Sequence, residues 1–113
     1  MRAWLLLAVV VLAACGGGIS DCPNDLPAAC PSPMPSYQTD VKPIITNHCL
    51  KCHAPGGQEA SIDLTTYPRV FSQRTAVLTQ FYSCRMPPEG EPRPTAQERA
   101  LLLGWLTCGS PNN

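Results

Sequence analysis

Two thiols and an imidazole stand within five residues of one another in Cys49-Leu50-Lys51-Cys52-His53. Spacing of that kind admits few chemistries. The thiols can add across the vinyl groups of a haem to form thioethers, with the adjacent imidazole facing the iron. They can cycle between dithiol and disulfide, or they can supply part of a zinc site. A thioredoxin-like redox pair belongs in a βαβ setting, and zinc needs two further ligands at finger-like spacing, of which only His48 stands nearby. Neither context is present, so the spacing is read as haem attachment, with Cys49 and Cys52 as thioether carriers and His53 as the proximal ligand. No Ser-His-Asp set or phosphate loop accompanies them, and the chain is read as a non-enzyme.

Three helical patterns must position these residues. In "TDVKPIITNHCLKCH", Asp40 is a cap, Pro43 falls in the first turn, and Val41, Ile44, Ile45 and Cys49 recur at helical spacing. This helix would carry the cysteine motif at its C-terminal end. A loop with Pro55-Gly56-Gly57 leads to a second pattern, Tyr67 to Tyr82, in which Val70, Phe71, Arg74, Val77, Leu78 and Phe81 lie three and four apart. The third has a Thr95–Glu98 capping box, an apolar stripe of Leu101, Leu102, Trp105 and Leu106, and a stop at Gly109 and Pro111. No stretch of β-branched residues alternates, so the fold class is all-α.

The 113-residue chain has room for one small domain. Residues 1–14 read as an export signal: Arg2 precedes an apolar run, Trp4 to Ala14, too short to span a bilayer. Leu12-Ala13-Ala14-Cys15 resembles the lipobox of bacterial lipoproteins, which would place a lipid on Cys15. Residues 15–36 continue with three glycines and then prolines at 23, 27, 31, 33 and 35, the composition of an extended tether. Fully extended, residues 22–36 would reach about 45 Å at about 3.1 Å per residue. Residues 37–113 form the domain. Without residues 1–14 the charges stand at seven basic against eight acidic, a balance that points to no nucleic-acid partner.

Seven cysteines in so short a chain suit an oxidising compartment. With Cys15 assigned to lipid and Cys49 and Cys52 to the motif, four remain, and sequence alone leaves three pairings open. Locality favours Cys22–Cys30 and Cys84–Cys108. Few aromatic residues remain to build a core, and a buried haem would supply what the side chains lack.

Cys49-Leu50-Lys51-Cys52-His53, followed by Met86-Pro87-Pro88 and a final helix with Trp105 and Gly109, resembles the small monohaem cytochrome c domains, including the planctomycete-type cytochrome domains. The resemblance spans Tyr37 to Gly109. It implies a small cytochrome c-like helical domain around one covalently attached haem c, with Met86 as the second axial ligand. Met34, between two prolines of the tether, and His48, on the same helix as His53, are poorly placed to compete with it. Among the arginines, Arg74 is the candidate partner of a haem propionate. The function implied is one-electron transfer between redox partner proteins by a lipid-anchored, extracytoplasmic cytochrome. Two alternatives remain: a haem-based sensor of small ligands, and a non-haem, disulfide-rich envelope lipoprotein.

Overall fold

The computed structural model describes residues 22–113. Cys15 and the signal segment lie outside the described residues, as does the lipid attachment expected there. Within 22–113 the regular structure is helical throughout, with no strand, as the sequence patterns imply. A π-helical turn, Tyr37–Val41, runs directly into α1 (Lys42–His48); α2 (Tyr67–Ser72), α3 (Arg74–Tyr82) and α4 (Ala96–Thr107) follow.

The first helix starts earlier than its sequence suggests, and Asp40 is not its N-cap. Ser36 is. Its Oγ accepts from the Thr39 amide, while Asp40 reaches back to accept from the Ser36 amide at 2.7 Å, so the two polar groups satisfy one another's turn. Pro43 sits in the first turn of α1, where its missing N–H deprives no carbonyl.

The single helix expected over Tyr67–Tyr82 is broken at Gln73, whose backbone leaves the helical region with φ −100° and ψ 4°. No proline or glycine marks the break. The Arg74 guanidinium takes up the Phe71 carbonyl at 2.8 Å and lies over the Phe71 ring, 4.0 Å from its centroid. The broken turn is thus capped by the next residue's side chain.

α4 follows its sequence closely. Thr95 Oγ1 accepts from the Glu98 amide at 3.1 Å, and Glu98 Oε1 accepts from the Thr95 amide at 3.0 Å. Leu102, Leu103, Trp105 and Leu106 are buried, and Gly109 ends the helix at a φ of 89°, open to glycine without strain. The core forms where these side chains meet Val41, Ile44, Ile45, Leu64, Val70 and Phe81. Tyr37 and Tyr67 pack around Trp105 with ring centroids 5.6 and 6.3 Å from it, and Trp105 Nε1 donates to the Pro111 carbonyl at 2.9 Å. This cluster fills the interior that the sequence alone left thin.

Residues 22–36 are not a free tether. They fold back over α3 and α4 as a strap, held by two disulfides that differ from the expected pairs: Cys22–Cys84 and Cys30–Cys108, in place of Cys22–Cys30 and Cys84–Cys108. Locality misleads here because the strap runs extended alongside α4, with Asp25 at Arg99 near its start and Pro31 and Cys30 at Gly104 and Cys108 near its end, which holds Cys22 and Cys30 apart. Pro31 packs on α4 at Gly104, where an added Cβ would come within 2.6 Å of the proline Cγ. Asp25 pairs with Arg99 at 2.8 Å.

Candidate functional site

The cysteine motif begins where α1 ends. Cys49 still donates its amide to Ile45 O at 2.8 Å, but its own carbonyl turns inward to accept from the amides of Cys52 and His53, at 3.2 and 2.9 Å. The motif is therefore a tight turn beyond the helix rather than its last turn. Residues 54–64 fold back over it, with Glu59 N donating to Cys52 O and Leu64 N to His53 O. Gly57 permits that return: a Cβ there would lie 2.4 Å from the Cys52 carbonyl oxygen. His53 Nδ1 donates to the Ile62 carbonyl at 3.0 Å, which fixes the plane of the ring.

Opposite this turn stand α3 and the loop after it. Between them lies a cavity of about 520 Å³, lined by Cys49, Cys52 and His53 on one side and by Val77, Phe81 and Met86–Pro88 on the other, with Leu64 and Leu102 at its base. Four residues singled out in the sequence (Cys49, Cys52, His53 and Met86) thus border one space, although thirty-three residues separate His53 from Met86. Met86 is partly exposed at the rim, its amide tied to Gln80 O at 3.1 Å. Arg74 is not part of this wall, since its guanidinium belongs to Phe71.

Cys49 and Cys52 are not bonded to one another. Burial pushes the Cys49 thiol up to about 11, so at neutral pH it is a protonated, weakly nucleophilic group that behaves as part of the apolar lining. Around the cavity run two polar ties. Lys51 pairs with Glu91 at 2.8 Å, and His48 bridges the Pro92 carbonyl (3.2 Å from Nδ1) and Glu98 Oε2 (3.1 Å from Nε2).

Arg99 is a structural centre that no sequence motif announces. Its guanidinium donates to the carbonyls of Phe81 and Tyr82, each at 3.0 Å, while holding both carboxylate oxygens of Asp25 at 2.8 Å. It therefore caps α3, whose last turn lines the cavity, and fastens the strap to it. That pairing holds the Asp25 carboxyl below the ordinary carboxylate range.

The expectation of one covalently attached haem c is corrected by the disposition of the donors. The cysteine chemistry displayed is disulfide formation, which takes Cys22, Cys30, Cys84 and Cys108. Among the described residues no group of three or more His, Cys, Asp or Glu side chains gathers in a way that could hold a metal ion. The C-x-x-C-H spacing fixes a local turn of the backbone, whereas a metal centre depends on donors brought together from elsewhere. The haem is accordingly dropped from the reading of this site, and with it the propionate role of Arg74. No family model matches the chain, and neither a curated protein nor a solved structure is similar to it, so the site rests on its own geometry.

Proposed function

We propose that this chain is a non-haem, disulfide-braced protein of the cell envelope, held to a membrane by a lipid on Cys15, whose cavity receives a small apolar molecule. It acts as a binding module and not as an enzyme. The observation that carries this reading is the 520 Å³ cavity, a volume in the range of small-molecule sites, whose surface is mainly apolar through Ile62, Leu64, Val77, Phe81, Met86 and Leu102, with polar side chains such as Gln80 and Glu91 also on its wall. Two long-range disulfides fit an oxidising compartment, no helix among the described residues is long and apolar enough to cross a membrane, and the lipobox-like Leu12-Ala13-Ala14-Cys15 supports attachment through a lipid.

The test is the composition and binding of the exported protein, made in a host that also carries a cytochrome maturation system. Intact mass and thiol counting should give two disulfides, free thiols at Cys49 and Cys52, a diacyl addition on Cys15 and nothing more. An environment-sensitive apolar dye should bind, and Val77→Glu, which puts a charge in the cavity wall, should weaken it at least tenfold. A protein carrying the added mass of a tetrapyrrole on Cys49 and Cys52 would overturn the reading, as would dye binding indifferent to Val77→Glu.

A further inference from the structure

The loop 86–94 forms part of the cavity wall through Met86, Pro87, Pro88 and Glu91. Among the described residues, two side chains from the motif side reach across to it: Lys51, paired with Glu91, and His48, bonded to the Pro92 carbonyl. Lys51 is largely exposed, and an exposed pair holds weakly. His48 is different. Its side chain is 12% exposed, and it meets an oxygen at each ring nitrogen, Pro92 O at 3.2 Å and Glu98 Oε2 at 3.1 Å.

A carbonyl oxygen and a carboxylate can only accept. A neutral imidazole has one N–H, so it can serve one of these partners while turning a lone pair towards the other; the imidazolium serves both. We infer that residues 86–94 are a lid on the cavity, closed by the protonated ring of His48 and loosened when that ring loses its proton. Three elements meet at this one side chain: the end of α1, the lid and the first turn of α4. Because Glu98 also caps Thr95 through its other oxygen, it is held in place as a partner whatever the lid does.

The neighbouring groups hold their state across the range in which histidines titrate, about pH 5 to 8. Glu98 is lowered from its ordinary value, chiefly by the Thr95 amide, and remains a carboxylate. Glu91 raises Lys51, which remains a cation, and burial keeps Cys49 a thiol. His53 also borders the cavity, but its ring is bonded to Ile62 O on the opposite side and touches no residue of the lid through a hydrogen bond.

The test is backbone amide exchange at Met86 and Glu91, whose amides donate to the Gln80 and Pro88 carbonyls, in the full chain between pH 5.5 and 8, corrected for intrinsic exchange, with both histidine rings followed by NMR. Loss of one charge-assisted hydrogen bond should lower protection of these amides about tenfold as pH rises. The midpoint should coincide with the titration of His48, and His48→Gln should make the profile flat. Protection that is constant with pH, or that follows His53, overturns the inference in the wild-type protein alone, whether or not the variant folds. A profile that survives His48→Gln overturns it too. Exchange reads the loop and not its occupant, so this result stands apart from the outcome of dye binding.

Discussion

Replacing Cys30 and Cys108 together by serine should cost the domain about 3.7 kcal/mol, and the figure depends on which partners the cysteines have. Taken alone, a bridge between residues 78 apart would contribute about 4.5 kcal/mol in the chain-entropy model. The second bridge shortens that loop. With Cys22–Cys84 in place, the path from Cys30 to Cys108 runs back to Cys22, across the bridge and on from Cys84, about 33 residues, which gives about 3.7 kcal/mol. By the same path, loss of Cys22–Cys84 alone costs the same amount. Removing the second bridge from either variant then costs about 4.4 kcal/mol, so the fourfold serine variant should lose more than the sum of the two pairs. A local Cys22–Cys30 bridge would instead close about nine residues and contribute about 2.6 kcal/mol, with no such coupling. Urea unfolding under non-reducing conditions measures all four forms. Under the local pairing each double variant would break both bridges, so double variants that already lose as much as the fourfold one, or a non-reducing peptide map joining Cys22 to Cys30, would refute the strap.

Other substitutions probe single contacts. Gly104→Ala should destabilise by about 1–3 kcal/mol through the clash with Pro31, although alanine is the better helix former, and Pro31→Ala should relieve most of that loss in the double variant. Arg99→Gln should weaken dye binding as well as stability, since the guanidinium holds the carbonyls of the cavity-lining end of α3; a loss of stability with dye affinity intact would separate the two. Both Asp25 and Glu98 are lowered, from ordinary values of 3.8 and 4.5, so their contribution is complete above about pH 4.5 and disappears as pH falls through the lowered values. Thermal unfolding should therefore change little from these groups above that pH and fall below it, and Asp25→Asn should shrink the acid-induced drop. Cys15→Ser should abolish lipid attachment and release the domain from the membrane fraction; membrane retention of a cleaved product would contradict the anchor.

α4 was legible because its signals are local: a capping box at one end, a glycine at the other and apolar residues three and four apart between them. The motif turn was legible as a place where chemistry gathers; Met86 and His53, expected as the two axial ligands of a haem, border one cavity, but the haem that would have joined them is not supported. What sits there could not be read from spacing, because Cys-x-x-Cys-His dictates one turn of backbone and not the donors that surround it. The break at Gln73 escaped notice since it is made by Arg74 folding onto Phe71, with no proline or glycine to announce it. The disulfide pairing escaped for a related reason. Prolines in residues 23–35 reveal extended backbone but not what it lies on, and its resting place is set by distant partners: Cys84, Arg99, Cys108 and the small residue Gly104 that leaves room for Pro31. Arg99 has no local signature at all, because its partners come from the strap and from α3.

The strap also sets how far the cavity can stand from whatever surface holds the chain. An extended tether over residues 22–36 would have given the domain a radius of about 45 Å in which to search. With Cys22 bonded to Cys84 and Cys30 to Cys108, residues 22–36 supply none of that reach. From a lipid on Cys15, seven residues reach at most about 24 Å. A domain anchored in the way proposed would therefore ride close to its membrane, its Cys22–Cys84 end nearest the lipid.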